Sequence, residues 1–298
     1  MQEEIQGKST ALPTGGIFGL QASAPNLLRW LGPTWAVVCG LIASGGFDGQ
    51  ADSWLRLALL ILLVDGGWGS LWTALGATDW ATPLSRWRAW RKSTPTAQLP
   101  YTQPEAPGGK LSHIGGGLRS WWTEVLWPTC GPALLTLLIA LPTAALIAIL
   151  LGEELILLSV AAVATMQLAT IWTRGGKDVP PGWDALITVT LPWLAGHVAF
   201  GLPSLRSVAL AGLFAVPWGG AWSVRSGWGR LLTVGGQLVA AVTLLILRSP
   251  LAAGAAFLFL VPQVYLLSWI RGDDQRDWYV RHTRPWLMAA MLVVALSI

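Results

Sequence analysis

The chain has 298 residues, of which 53% are hydrophobic and only 11% charged, and its mean hydropathy is +0.55. This composition excludes an ordinary soluble domain and is typical of a polytopic membrane protein. The net charge of +4 is small, and we expect it to reflect membrane topology rather than nucleic-acid binding. No nucleophilic triad or phosphate-binding loop of a soluble enzyme is recognisable in the sequence.

The first 25 residues mix charged residues with Gly, Ser and Pro. They lack the basic start and the apolar core of a signal peptide. We therefore expect residues 1–25 to form a loosely ordered cytoplasmic tail and residues 26–298 to form one transmembrane domain.

Apolar segments follow one another along this domain. A membrane-spanning helix needs about 20 mostly apolar residues, and nine segments meet this need. The predicted spans cover residues 29–46, 54–76, 126–151, 154–172, 184–201, 206–224, 229–248, 249–270 and 284–298. The sequence therefore predicts an all-α bundle of about nine transmembrane helices, with a long cytoplasmic loop at about 77–124.

The basic residues predict the orientation of these helices, because Lys and Arg are retained on the cytoplasmic side of a membrane. The chain has 19 Lys and Arg residues. With a cytoplasmic N-terminus, only Arg56, Arg206 and Arg248 fall outside, and all the others fall inside. The bias predicts a cytoplasmic N-terminus and supports the count of nine spans.

Two segments of the chain resemble the chlorophyll and bacteriochlorophyll synthases, a branch of the UbiA prenyltransferase superfamily. The stretch LLRWLGPTWAVVCGLIASG, residues 27–45, resembles their first helix, and LPWLAGHVAFG, residues 191–201, resembles their fifth. Weaker similarity occurs at Arg284-Pro285-Trp286-Leu287, at the entry to the last helix. The resemblance implies a UbiA-like bundle over residues 26–298, with loop 77–124 capping a cavity on the cytoplasmic side.

The chemistry of that family depends on two aspartate-rich motifs at the cytoplasmic ends of helices two and six. They bind Mg²⁺, which holds the leaving diphosphate. The first motif of the synthases reads Asn-Asp-Trp-Phe-Asp-Arg-x-x-Asp. Here Asp79 and Trp80 match it, whereas Thr78 replaces the asparagine, and Thr82 and Arg86 replace the other two aspartates. Pro83 also argues against the helical turn that would put the carboxylates of such a motif on one face.

The second motif has no counterpart, because no Asp or Glu occurs between Asp184 and Asp273. Arg225 and Arg230 lie near the expected place and are candidates for the cavity wall. An arginine can bind a diphosphate, but it cannot supply the geometry of a bridging Mg²⁺. The resemblance therefore implies a prenyltransferase scaffold with degenerate motifs and no metal site, and Mg²⁺ is expected only if activity survives.

Two ionisable residues inside apolar segments are further candidates for a site. His197 stands where the synthases have glutamine, and a neutral imidazole is a good axial ligand for the magnesium of a chlorophyll-type pigment. The alternative is a histidine hydrogen-bonded to a neighbouring helix. Asp65 lies near the middle of the second span, where a carboxylate costs about 2.5 kcal/mol or more. It is a structural polar clamp or a cavity residue, beside the small residues Gly66 and Gly67.

These features lead to a first hypothesis about function. The chain is a non-catalytic relative of the synthases that binds a pigment, such as (bacterio)chlorophyll or carotenoid, or a quinone or a prenyl lipid. It is expected in the bacterial inner (photosynthetic) membrane, as an accessory subunit or assembly factor of a reaction-centre or light-harvesting complex. The 20 tryptophans form an interfacial belt or contact such a ligand or partner.

Two other hypotheses remain. The chain is an active prenyltransferase that attaches a prenyl chain from a diphosphate to a tetrapyrrole or quinone ring. Its rebuilt metal site would then combine Asp79 with aspartates of other loops, namely Asp178, Asp273, Asp274 or Asp277. The third and weaker hypothesis is a transporter with Asp65 on its pathway.

Overall fold

The computed structural model describes residues 27–76, 78–80, 82–87, 107–172, 180–202, 204–270 and 275–298. The predicted N-terminal tail lies outside these ranges, as do Asp178, Asp273 and Asp274 of the predicted loops. The described part consists of helices and connecting turns and contains no β-strand. The all-α class is therefore confirmed.

Long helices occupy the predicted apolar segments of the described chain. Their bounds are α1 Leu27–Ser44, α2 Ala51–Gly76, α3 107–151, α4 Glu153–Trp172, α5 181–200, α6 Leu205–Trp222, α7 Gly227–Ile246, α8 Pro250–Leu267 and α9 Arg276–Ala295. By length and composition, five are able to cross a membrane: α2, α3 from Ile114 onward, α4, α7 and α8. These apolar helices indicate a membrane-embedded protein with several spans.

The predicted loop at 77–124 contains more helix than the sequence indicated. Residues 82–87 form a short helix, and α3 begins at Pro107, well before its predicted start at 126. Residues 78–80 are not helical, so the short helix does not include Asp79 and does not form the turn that would put the motif's carboxylates on one face. Pro83 is the second residue of the short helix, and in the first turn its missing N–H is not needed for an intrahelical bond.

Consecutive helices pack against each other in the described chain, and α9 packs against α1, so the bundle closes into a ring. Helices α1 and α5 also pack against each other across this ring. The two largest apolar cores of the described chain result: α2, α3 and α4 surround one, and α6 to α9 surround the other, while α1 and α5 contribute to both. The α1–α5 pair is therefore the central wall of the bundle.

Glycines bring the backbones of α1 and α5 into contact. A Cβ atom at Gly40 would overlap the carbonyl oxygen of Trp193, and one at Gly196 would overlap that of Val37. Past the end of α1, a Cβ atom at Gly46 would overlap the carbonyl oxygen of Phe200. Small residues allow such close packing of membrane helices. The two segments that resemble the synthases are thus the two that meet in this wall.

A buried pair of glutamines joins α7 and α8. The Nε2 of Gln263 donates to the Oε1 of Gln237 at 2.8 Å, and the Nε2 of Gln237 donates to the carbonyl oxygen of Ala256 at 3.1 Å. Both side chains are fully buried. Hydrogen bonds between membrane helices typically stabilise them by about 0.6 kcal/mol each, so this pair mainly fixes the register of the two helices.

Candidate functional site

A cavity of about 720 Å³ lies between five helices at one end of the bundle. Helices α1, α5 and α9 begin at this end, and α2 and α6 finish there, so the odd-numbered wall helices run in one direction and the even-numbered ones in the other. The volume falls within the range of sites that bind small molecules and cofactors. This cavity is the candidate functional site.

Helix α2 forms the longest wall of the cavity. Its lining residues include Val64, Asp65, Trp68, Trp72 and Gly76, whose spacing follows one face of a helix. From Val64 to Gly76 the wall is about 18 Å long at a rise of 1.5 Å per residue. The cavity is therefore deep enough to hold an elongated ligand along α2.

Two π-helical segments border the cavity. One covers Leu62–Trp68 of α2 and carries Asp65 and Trp68; the other covers Leu186–Thr190 of α5 and carries Ile187 and Thr188 of the opposite wall. Such segments are rare and occur frequently at functional sites. They also change which residues share a face of the helix. Here they set which side chains of α2 and α5 reach the cavity.

Arginines from α9 lie over tryptophans from α6 at the cavity wall. The Cζ of Arg284 is 5.2 Å from the ring centre of Trp218 and 5.3 Å from that of Trp222, and the Cζ of Arg276 is 4.9 Å from Trp222. Arg284 is only 9% exposed. Cation–π contacts of this kind contribute about 2 kcal/mol when they are desolvated, so they hold both guanidinium groups in place.

The formal charges of the described cavity wall are balanced. Asp65 and Asp184 carry two carboxylates, and Arg276 and Arg284 carry two guanidinium groups. Asp65 is 8% exposed, and its place in the wall agrees with the interpretation of Asp65 as a cavity residue. The wall thus combines four tryptophan rings with two positive and two negative formal charges.

The described residues of the remnant aspartate motif are not part of this cavity wall. Asp79 is exposed, and its Oδ1 accepts a hydrogen bond from the backbone N–H of Thr82 at 3.1 Å, at the start of the short helix 82–87. The indole of Trp80 donates to the carbonyl oxygen of Ala74 at 3.3 Å. The contacts of Asp79 and Trp80 are those of a structural turn. Thr78 is half-buried and Arg86 is exposed, and neither lines the cavity.

Arg225 and Arg230 are also not part of the described cavity wall. Both are exposed near the turn between α6 and α7, and the Nε of Arg230 donates to the carbonyl oxygen of Val224 at 3.1 Å. The wall takes its basic residues from α9 instead. Arg284 could have been found from the sequence, because it precedes an apolar segment and belongs to the weakly similar stretch 284–287.

His197 is buried in α5, at the end of the bundle away from the cavity. Its Nε2 lies 2.9 Å from the carbonyl oxygen of Leu202, and its Nδ1 is buried. His197 does not line the cavity. Ligation of a pigment by Nε2 would break the bond to Leu202, so His197 as a pigment ligand stays a prediction that requires local rearrangement.

The described residues include no group of three or more His, Cys, Asp or Glu side chains that could hold a metal ion. The family's chemistry requires carboxylates gathered around Mg²⁺. Within the described chain, the cavity offers the carboxylates of Asp65 and Asp184, on two different helices. This donor set does not fit a cluster of magnesium ions that binds a diphosphate.

Comparison with known proteins finds no match to this chain among protein-family models, curated proteins or solved structures. The resemblance to the synthases therefore rests on the two segments of α1 and α5, which are in contact in the structure.

Proposed function

We propose that this chain is a non-catalytic membrane protein on a UbiA-like scaffold that binds an amphiphilic ligand in the cavity at the end of α2. The ligand is a pigment, a quinone or a prenyl lipid. The observation that carries the proposal is the cavity wall itself, about 18 Å long on α2 and lined by Trp68, Trp72, Trp218 and Trp222. Aromatic rings offer large rigid surfaces for a flat conjugated ring or an isoprenoid chain.

The proposed arrangement has all nine helices in the membrane and the N-terminus in the cytoplasm. This alternation is supported by the wall helices, because α1, α5 and α9 begin at the cavity end whereas α2 and α6 finish there. The positive-inside rule then puts the cavity at the cytoplasmic end, since Arg276 lies at that end and Arg56 and Arg206 lie near the opposite ends of α2 and α6. A ligand would enter from the cytoplasmic leaflet.

We propose that the chain is non-catalytic because of the charged side chains in the cavity wall and in the remnant motif. A departing diphosphate develops negative charge that metal ions or several cations must stabilise. In the described cavity the two arginines are matched by two aspartates, and Asp79 of the remnant motif is used as a turn residue. The wall is therefore suited to holding a ligand and poorly suited to diphosphate release.

The cellular role we propose is that of an accessory subunit or assembly factor of a photosynthetic complex in a bacterial inner membrane. The photosynthetic setting is supported by the resemblance of α1 and α5 alone. The exposed rings of Trp122 and Trp127 on α3, which stack with centroids 6.2 Å apart, would suit contact with lipid or with a partner helix.

The first test is an absorption spectrum, with extraction of bound lipids and pigments, of the protein purified gently from its native membrane. We expect a conjugated ring or isoprenoid to co-purify in about equimolar amount. A His197→Ala variant, compared with His282→Ala at an exposed position, shows whether His197 ligates a pigment: loss of chlorophyll bands in the first variant alone would establish ligation. A protein that carries no such molecule, and binds none when offered, would refute the proposal.

Active prenyl transfer is the second candidate, and one observation favours it. Asp65 and Asp184 line one cavity from different helices; they are too few for a magnesium cluster, but two carboxylates together with substrate phosphates are enough donors for a single Mg²⁺. Incubation with a prenyl diphosphate and a tetrapyrrole or quinone-ring acceptor, with and without Mg²⁺, tests it. Metal-dependent product that disappears in Asp65→Asn and Asp184→Asn would establish an enzyme. Product that persists in Asp79→Ala would exclude the remnant motif from the mechanism.

A further inference from the structure

One face of α4 is turned away from the rest of the bundle. Helix α4 packs against α2, α3 and α5 in the described chain, and its buried residues belong to the core between these helices. The opposite face is exposed and mainly apolar, and it carries Leu157, Val160, Ala161, Ala164, Leu168 and Ile171. By length and composition α4 is able to cross a membrane. This face therefore lies against lipid or against another protein.

A glutamine interrupts this apolar face. Gln167 is exposed, and its side chain makes no hydrogen bond to the residues that the structure describes. The hydroxyl of Thr165 on the same helix, by contrast, donates to the carbonyl oxygen of Ala161 at 2.7 Å. An amide that meets only hydrocarbon is costly, because lipid tails offer neither donors nor acceptors. Gln167 therefore calls for a polar partner on the outer side of α4.

The position of Gln167 along α4 keeps its amide within the apolar layer. The 20 residues from Glu153 to Trp172 make a helix about 30 Å long, which matches the thickness of the hydrocarbon core. Gln167 precedes Trp172 by five residues, so it lies about 7.5 Å inside that end. Side chains of a helix lean toward its N-terminus, which here is the direction of the membrane centre. The amide is thus directed away from the nearer headgroups.

The complementary partner is a second amide held at the same depth. A primary amide both donates and accepts hydrogen bonds, so two amides satisfy each other. The same fold already contains such a pair, because Gln263 of α8 donates to Gln237 of α7 at 2.8 Å and both side chains are fully buried. A second copy of this chain, related by a twofold axis along the membrane normal, presents an identical amide at an identical depth.

We propose that the chain forms a homodimer in which the α4 helices of two copies run parallel and their Gln167 side chains hydrogen-bond to each other across the twofold axis. Ala161 and Ala164 lie on the same exposed face within two turns of Gln167, and such small residues let two membrane helices approach closely. One polar residue in an apolar helix interface also fixes its register. No described residue of α4 lines the cavity, so this interface is separate from the proposed ligand binding.

The test reconstitutes the full chain, labelled at its N-terminus with a donor or an acceptor dye, in phosphatidylcholine vesicles at falling protein-to-lipid ratios. We expect energy transfer between copies to fall on dilution as a monomer–dimer equilibrium requires. Gln167→Leu removes the amide and keeps a side chain of similar size. It should weaken dimerisation roughly 10- to 100-fold, the range expected for the loss of two interhelical hydrogen bonds.

Thr129→Val on α3 is the matched control, because it also removes a polar group from an exposed helix face. The hydroxyl of Thr129 donates to the carbonyl oxygen of Val125 in its own helix at 2.8 Å, so this variant should dimerise like the unsubstituted chain. Circular dichroism of both variants, with thermal midpoints equal to that of the unsubstituted chain in dilute vesicles, shows that the fold is intact.

Cross-linking then locates the interface. Oxidation by copper phenanthroline should join two copies of Ala164→Cys through a disulfide, since the Cβ atoms of this position come within reach across a close twofold contact. Leu258→Cys, at a position of α8 that is 65% exposed, should stay unlinked. The native Cys39 and Cys130 are fully buried, so the unsubstituted chain should not cross-link either.

The outcomes decide the proposal. Dilution-dependent energy transfer that weakens in Gln167→Leu but not in Thr129→Val, together with a disulfide at position 164, supports the α4 dimer. Energy transfer that never exceeds random proximity overturns it and assigns the α4 face to lipid or to a different protein. A dimer that Gln167→Leu leaves unchanged, or a disulfide at position 258 instead of 164, overturns the assignment of the interface to α4.

Discussion

The α1–α5 pair behaves differently at its two ends. At the end remote from the cavity the two backbones touch, since Gly40 and Gly196 leave no room for a Cβ atom. At the other end, Gly32 of α1 and Asp184 of α5 border the same cavity. One pair of helices therefore forms a closed contact at one end and an open site at the other.

The size of the side chains accounts for this difference. Glycine at the closed end brings the helix axes together, which membrane helices achieve through small residues. At the open end, the bulky Trp218 of α6 packs against Gly32, where an added Cβ atom would lie 3.2 Å from the tryptophan ring. The tight contact fixes the two helices, and the large rings hold the walls of the cavity apart.

Substitution at the closed end should have the largest effect. In Gly196→Ala the new Cβ atom overlaps the carbonyl oxygen of Val37, so the helices must separate. We expect a loss of roughly 3 kcal/mol or more of unfolding free energy, measured by denaturation in bicelles. The matched control is Gly254→Ala on α8, where an added Cβ atom meets nothing within 4 Å. It should be neutral or stabilising by about 0.5–1 kcal/mol; equal losses in both variants would contradict the closed contact.

A hydrogen bond beside the closed end should have the next largest effect. The indole N–H of Trp193 donates to the Oγ of Ser207 at 2.9 Å, and both side chains are fully buried. Ser207→Ala leaves that donor without its acceptor, which should cost about 1–3 kcal/mol. In a Trp193→Phe background the same substitution should cost clearly less. An identical cost in the two backgrounds would show that this bond does not stabilise the α5–α6 contact.

At the open end, removal of a buried cation should have a smaller effect on stability. Arg284→Gln loses the cation–π contacts to Trp218 and Trp222, but it also relieves the cost of burying a charge. We expect a net loss of about 1 kcal/mol, seen as a lower thermal midpoint by circular dichroism. Arg281→Gln, at an exposed position of the same helix, should change little. If the thermal midpoints of the two variants are equal, the Arg284 guanidinium group does not stabilise the packing of α9 on α6.

The smallest effect is expected at the link between α1 and α2. The Oδ1 of Asp48 accepts hydrogen bonds from the hydroxyl of Ser53 at 2.6 Å and the backbone N–H of Gln50 at 3.0 Å. These bonds lower the pKa of the Asp48 carboxyl below its usual value, the bond from Ser53 contributing most. The stabilisation is therefore present above the unfolded pKa of about 3.9 and disappears as the pH falls through the lower folded value.

Asp48→Asn should remove this pH dependence and leave stability at neutral pH slightly lower. Thermal midpoints of Asp48→Asn and of the unsubstituted chain, measured from about pH 2 to pH 5, test this prediction. Asp52→Asn, four residues further along at an exposed position, should keep the dependence of the unsubstituted chain. A slope that is unchanged in Asp48→Asn would assign the titration to another carboxylate.

The sequence predicted the helices well, because long apolar segments and short turns carry a strong local signal. It also singled out the segments of α1 and α5 that form the central wall, where glycine spacing matters. The site was harder to predict. Asp65 was identified because a carboxylate inside an apolar segment is unusual, whereas Arg276 and Arg284 meet the cavity only through the packing of α9 on α6.

Other candidates show why residue type alone does not identify a site. Arg225 and Arg230 are positively charged and lie at the same end of the bundle as the cavity, but the turn that carries them is exposed. The start of α3 was missed because Gly115-Gly116-Gly117 and the preceding polar residues lower the hydropathy of a segment that is nevertheless helical. The orientation of a turn and the length of a polar helix depend on contacts distant in sequence.

The π-helical segment of α2 acts as a phase shift between the two parts of its wall. Such a segment accommodates one residue more than an α-helical turn would, and each residue of an α-helix turns the chain by about 100°. Deletion of Gly66 or Gly67 would rotate Asp65 and the residues before it relative to Trp72 and Gly76. The Asp65 carboxylate and the Trp72 ring would then face different neighbours, although every residue that lines the site would still be present in the sequence.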